Sequence, residues 1–193
     1  PRPDLQLLHD AFSDWAERQP EAPALLMRER VVTYGEMERL TNRIAHGLRR
    51  RGGKPNTLVA VMMEKGWEQA VACMAILKAG AGYLPINAAW PPERMDAVNA
   101  QGEAEPGQAG QRQRRVGGRL GRPGLAVDDA ALWADEPDTR PPSVNAIGDI
   151  CYVLFTSGST GKPKGVTLTH FSVMNSLRNA NAEHGVGPGD RSL

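Results

Sequence analysis

Apolar residues recur at helical spacing near the start of the chain. Leu5, Leu8, Phe12 and Trp15 form one stripe across residues 4–19, while Asp10, Asp14 and Glu17 take the other face. That pattern predicts an amphipathic helix. Two short apolar stretches follow, Ala24–Met27 and Val31–Val32, around the polar Arg28-Glu29-Arg30; they predict a β-hairpin. Thr33 and Glu36 have the spacing of a capping box, and Met37, Leu40, Ile44 and Leu48 then mark one stripe of a helix. Arg49, Arg50 and Arg51 fall in its last turn, where cations complement the helix dipole, and Gly52 is a natural stop.

The alternation continues. Leu58–Met63 is a continuous apolar run of strand length, as expected of a strand buried on both faces. Trp67–Ala79 is helical, with Trp67, Val71, Met74 and Leu77/Lys78 spaced along it and Gly80 closing it. Tyr83–Ile86 is a short strand, and Pro91-Pro92 opens a further helix to about Ala100. Pro137–Val144, with three prolines, reads as a linker. Ile150–Phe155 reads as a buried strand, Val166–Leu168 is a second apolar stretch, and a helix is expected from about Phe171 to Glu183. Strands alternating with helices predict an α/β protein with a parallel sheet flanked by helices.

Composition narrows the function classes. The chain has 193 residues, the length of one domain or slightly more. Its 23 basic and 22 acidic residues nearly cancel, which argues against nucleic-acid binding through the whole surface. Cys73 and Cys151, without a CxxC or Cys/His cluster, read as buried free thiols and point to no metal. No uncharged apolar run approaches the ~18 residues of a membrane span, and Pro1-Arg2-Pro3-Asp4 does not open a signal peptide. A cytoplasmic protein is expected, with neither nucleic acid nor membrane as partner. One stretch breaks the pattern: residues 101–124 hold seven Gly, five Arg and four Gln, with only Val116 and Leu120 as larger apolar side chains. Such a segment cannot bury a core and is expected to be disordered; without an aromatic residue it cannot stack bases either.

The densest chemistry follows Phe155. Thr156-Ser157-Gly158-Ser159-Thr160-Gly161-Lys162-Pro163-Lys164-Gly165 is a Gly/Ser/Thr loop set directly after an apolar strand. Glycines let backbone N–H groups approach phosphate oxygens, hydroxyls donate further hydrogen bonds, and lysines offset charge. A Walker A loop is excluded twice. Aligned on Gly161-Lys162, it would have Thr156 in place of its first Gly and Pro163 in place of its magnesium-binding Ser/Thr. A flexible linker is disfavoured by the apolar stretches on both sides. Elsewhere, His170 reads as a cap or packing residue, and His9, His46 and His184 have no partners at recognisable spacing. Trp67 and Trp90 read as core or loop anchors.

Thr156–Gly165, extended through Val166, resembles the phosphate-binding signature of the adenylate-forming superfamily. Val32-Thr33-Tyr34-Gly35-Glu36-Met37 resembles the first core motif of nonribosomal peptide synthetase adenylation domains, with Met for the usual Leu. Leu77-Lys78-Ala79-Gly80-Ala81-Gly82-Tyr83-Leu84-Pro85-Ile86 resembles the second, with Asn87 where Asp is usual. The resemblance implies that residues 1–193 are the N-terminal portion of such a domain, ending after the phosphate loop. It implies ATP with Mg2+, in-line attack of an amino-acid carboxylate on the α-phosphate, and transfer of the aminoacyl group to phosphopantetheine. Carrier and condensation domains of the same synthetase are the implied partners. Thr156, Ser157, Gly158, Ser159, Thr160, Gly161, Lys162, Lys164 and Gly165 are the implied nucleotide-binding residues, with Lys164 the main cation. The magnesium ligand and the catalytic lysine are expected downstream, so no catalytic residue is expected here and the 193 residues alone are expected to be inactive. An acyl- or aryl-CoA ligase is the alternative, disfavoured by the Leu77–Ile86 match and Pro91-Pro92-Glu93-Arg94. A non-catalytic truncated remnant is the alternative from another class. Because relatives enter another apolar strand near residues 101–124, we read that stretch as a shifted reading frame. Resequencing should find two flanking single-base corrections that restore an apolar run; a confirmed sequence that packs as a regular element would refute this.

Overall fold

The structure is a computed structural model and describes residues 6–63, 66–87, 90, 91, 93, 95, 98, 126–156, 164–187 and 190. The expectations for residues 101–124 lie outside the described residues. The elements are α1 (Leu8–Arg18), β1 (Pro23–Leu26), β2 (Val31–Thr33), α2 (Tyr34–Arg50), β3 (Leu58–Met62), α3 (Trp67–Ala79), β4 (Gly82–Ile86), α4 (Ala130–Trp133), β5 (Ile150–Thr156), β6 (Lys164–Thr169) and α5 (His170–His184). Glu93, Met95 and Val98 are also helical.

Local signals explain most boundaries. Thr33 Oγ1 accepts from the Glu36 N–H at 3.2 Å and Glu36 Oε2 accepts from the Thr33 N–H at 2.9 Å, so the expected capping box opens α2. Gly80 ends α3 at φ 102°, a left-handed conformation that favours glycine. Arg49 adds a cap from outside: Nε donates to Ala79 O at 3.1 Å, and Nη2 to Lys78 O at 2.8 Å and Pro142 O at 2.7 Å. The bonds to Lys78 and Ala79 satisfy carbonyls that the end of α3 leaves without helical partners, and the third ties α2 to the proline-rich stretch.

β1 and β2 form the expected antiparallel hairpin. The main sheet has the order β3-β4-β5-β6. β3, β4 and β5 run parallel, as expected of the α/β fold, and β6 joins the sheet antiparallel to β5. The reason is length: residues 157–163 are fewer than the dozen or so that a parallel crossover requires. On one face, Val59, Val61 and Met63 pack with Ile44, Leu48, Val71 and Ile76 of α2 and α3. On the other, Leu58, Ala60, Met62, Leu84, Ile86 and Val153 meet Met95 and Val98.

Two expectations need correction. β5 is not buried throughout: Cys151 and Val153 are buried, while Leu154 is 41% exposed and Val166 on β6 is 49% exposed. Leu77 of α3 and Val173 of α5 cover the strand's beginning at Cys151, and the cover does not extend to Leu154. Helix α1 buries His9, Ser13 and Ala16, one residue round from the apolar stripe. Phe12 and Trp15 lie instead beside Tyr34, with ring centroids 5.7 and 6.3 Å away. The rotation brings Ser13 Oγ within 3.0 Å of Glu38 Oε2, to which it donates.

The proline-rich stretch has no regular structure, as expected, yet it is a strap and not a free linker. Arg140 pairs with Asp10 at 2.6 Å and Asp14 at 2.9 Å. Asn42 donates to Asp138 O at 2.8 Å and Asn145 to Gly80 O at 2.7 Å. Cys151 is buried and Cys73 half-buried, and burial pushes both thiols up to about 12, which leaves them inert at neutral pH.

Candidate functional site

The carboxyl ends of β3, β4 and β5 share one edge of the sheet, ending at Met62, Ile86 and Thr156. In open α/β sheets ligands bind at this edge. There β5 and β6 form a hairpin whose last paired residues are Thr156 and Lys164. Thr156 Oγ1 donates to Lys164 O at 3.5 Å, a long contact, and both residues are exposed. One step inside, Gly165 pairs with Phe155. Of the expected nucleotide-binding residues, the structure therefore brings Thr156, Lys164 and Gly165 together at the sheet edge. Ser157, Gly158, Ser159, Thr160, Gly161 and Lys162 lie outside the described residues. An exposed hydroxyl and an ammonium group at such an edge are a donor set suited to phosphate oxygens.

Sequence spacing missed two buried polar groups. Lys78 is 2% exposed; its Nζ donates to Glu38 Oε2 at 2.5 Å and Asn42 Oδ1 at 2.8 Å and lies 5.1 Å over the Phe12 ring. Burial lowers its pKa to about 8, against the opposing pull of Glu38. A lysine at the edge of an apolar helical stripe was the only available signal. The second group joins residues distant in sequence: His9 and His170 meet edge to face, 5.5 Å between centroids, and the Leu8 N–H donates to His170 Nδ1 at 3.5 Å. His170 thus packs, as expected, whereas His9 gains a partner that spacing could not reveal. His46 Nε2 also has one, 3.0 Å from Thr139 O. Among the described residues, no group of three or more His, Cys, Asp or Glu could hold a metal, and no helix is long and apolar enough to cross a membrane.

The histidine pair sets an acid limit. Burial lowers His9 to about 4, with Asp10 opposing and His170, Lys78 and Arg140 reinforcing. His170 is lowered by burial too, against Asp149 and Asp10. Neither His9 Nδ1 nor His170 Nε2 has a hydrogen-bond partner among the described residues. In the unfolded chain both rings titrate at 6.5. The unfolded state then binds more protons as pH falls from 6.5 towards 4, so stability is full above this window and is lost within it. For His9 the loss should reach about 2 kcal/mol by pH 5. Denaturant midpoints at pH 7 and pH 5 measure it, and His9→Phe should remove the His9 share of the difference and leave that of His170; an unchanged difference would refute the assignment.

Residues 12–193 match the model of the family described as AMP-binding enzyme. Tyrocidine synthase 3 of Brevibacillus parabrevis is 35% identical over 190 residues, covering 96% of this chain and 3% of that protein. The nonribosomal peptide synthetase FmoA3 (S1046A) in its AMPPNP-bound form superposes with a TM-score of 0.87 and 35% identity, over 99% of this chain and 20% of that one. Its α-methyl-L-serine-AMP-bound form gives 0.85 and 34% identity, over 96% and 20%. The chain therefore spans only a small part of these relatives' length. With the family model matched from residue 12 to residue 193, the chain belongs to the AMP-binding enzyme family.

Proposed function

We propose that this chain is the N-terminal portion of an amino-acid adenylation domain of a nonribosomal peptide synthetase, and that Thr156–Gly165 is its phosphate loop. The observation that carries this reading is the placement of Thr156 and Lys164 at the tip of a hairpin on the sheet's carboxyl edge. It is supported by the similarity to FmoA3, which was solved with AMPPNP and with α-methyl-L-serine-AMP. Thr156, Ser157, Ser159 and Thr160 would offer hydroxyls to the β- and γ-phosphates, and Lys164 the main positive charge. Mg2+ would accompany ATP and stabilise charge on the phosphates, with its carboxylate ligand downstream of these residues. Such sites act mainly through positioning and charge stabilisation. The product would be aminoacyl-AMP and then a thioester on carrier-domain phosphopantetheine, beside a condensation domain, in the cytoplasm.

ATP–pyrophosphate exchange with each of the twenty amino acids tests the reading. The longest form that the gene encodes should show exchange dependent on an amino acid, and residues 1–193 alone should show none. Exchange driven only by aryl or fatty acids would move the protein to the CoA-ligase branch. In the active form, Lys164→Ala should cost about 2–4 kcal/mol in kcat/KM, because it removes a charged phosphate contact. Lys162→Ala should cost under about 1 kcal/mol, in the range of screened surface charges. Equal losses, or a larger one at Lys162, would reverse these roles.

A further inference from the structure

Gly165 sits in a β-strand, where glycine weakens pairing and supplies no side chain to pack. Its backbone does not require glycine either: the described glycines with positive φ are Gly52, Gly80 and Gly185. Close approach is the remaining physical reason. A Cβ on Gly165 would lie 3.1 Å from Phe155 Cζ, 3.3 Å from Phe155 Cε1 and 3.4 Å from Val153 Cγ1. The Phe155 ring therefore lies across Gly165, its directly opposed partner on β6. The same side chain packs against the apolar cluster of Leu58, Ala60, Met62, Leu84 and Ile86. An aromatic ring covering a cross-strand glycine is a known way to brace a sheet. Here the braced pair is the last before Thr156 and Lys164, where the chain leaves and re-enters the sheet.

We propose that Phe155 is a positioning residue for the nucleotide site. It rests on Gly165, and through it the two stems at Thr156 and Lys164 are held against the sheet. This rests on the phosphate-loop reading above and divides labour within the motif: Gly165 serves the Phe155 ring and not a phosphate oxygen.

The test is a double-mutant cycle in the longest form that the gene encodes. Gly165→Val alone should lower the denaturation midpoint, because its methyl groups meet the ring. In the Phe155→Ala background the same change should be neutral or stabilising, since the space is vacant and valine suits a strand. A loss of the same size in both backgrounds would overturn the contact. In pyrophosphate exchange, Phe155→Ala should raise the KM for ATP about tenfold and leave that for the amino acid unchanged. Phe155→Tyr should restore the KM. A fall in kcat alone would reflect only a lost folded fraction, and would overturn the positioning role. If Gly165→Ala still raises the ATP KM in the Phe155→Ala background, the glycine serves the nucleotide and the division of labour is wrong. Lys164→Ala separates the two ideas, with AMPPNP binding as readout. Weakened binding without coupling between 155 and 165 refutes the brace alone. Coupling with unaltered binding refutes the nucleotide reading, and the positioning role with it.

Discussion

Glu38→Ala should destabilise the protein by about 3–5 kcal/mol, whereas Lys78→Met should cost clearly less. The asymmetry follows from where the two charges sit. The Lys78 side chain is 1% exposed and that of Glu38 is 17% exposed. Removing Glu38 strands an ammonium group between α2 and α3, leaving Asn42 Oδ1 as its hydrogen-bond acceptor and the Phe12 ring beside it. Burial already draws the Lys78 pKa down to about 8, so without its counter-charge the amine is driven towards the neutral form or must admit water. Removing Lys78 leaves a carboxylate that can turn to solvent, still accepting from Ser13 Oγ, and methionine fills the aliphatic volume of the lysine stem. The double change Glu38→Leu with Lys78→Met should recover most of the loss, because a desolvated pair is often replaceable by apolar side chains. Urea denaturation at pH 7 with an unchanged m-value is the measurement. An equal loss in the two single variants would show that both charges are wetter than this packing implies.

The other large effect is at Trp133, where truncation to alanine should cost about 3–5 kcal/mol. Its indole is 1% exposed, donates from Nε1 to Ala126 O at 3.0 Å, and lies under the Arg51 guanidinium at 5.5 Å. The ring also presses on α2 at Gly47, where a Cβ would fall 2.6 Å from Cζ3 and 2.9 Å from Cε3. Nearby, Glu136 pairs with Arg50. Gly47→Ala sets two effects against each other. Alanine gains about 1 kcal/mol over glycine in a helix interior, but forcing the indole aside costs about 1–3 kcal/mol. The clash should win in the native background, and the gain should reappear once Trp133→Ala has vacated the space. If Gly47→Ala stabilises the native protein, the segment around Trp133 is not held on α2 as described.

Much of this architecture is readable from local pattern. The expected bounds of α3 coincide with the observed Trp67–Ala79, because an apolar helical run and a C-terminal glycine are both local properties. The capping box at Thr33 and Glu36 is equally local. A second one, between Thr169 and Ser172 at the start of α5, carries no such signal because its third residue is Ser and not Glu. Helix α4 is not legible because four residues are too few to show a period. The hairpin residues Thr156, Lys164 and Gly165 were legible as a motif. The ring that lies across Gly165 was not, since cross-strand opposition depends on register and not on composition.

The amino-acid sequence by itself determined most of the helices and strands, the likeness of three motifs to one family, and the loop suited to phosphate. These follow from residue type and spacing within about a dozen positions. Only the tertiary structure decided the rest. The short β5–β6 connection turned one strand against the others. The strap carried Arg140 back to Asp10 and Asp14 and so helped to choose which face of α1 is buried. Glu38 and Asn42, from a neighbouring helix, made it possible to bury the charge on Lys78. The last two outcomes depend on partners far away along the chain, and burial of a polar group is tolerable only where such a partner arrives.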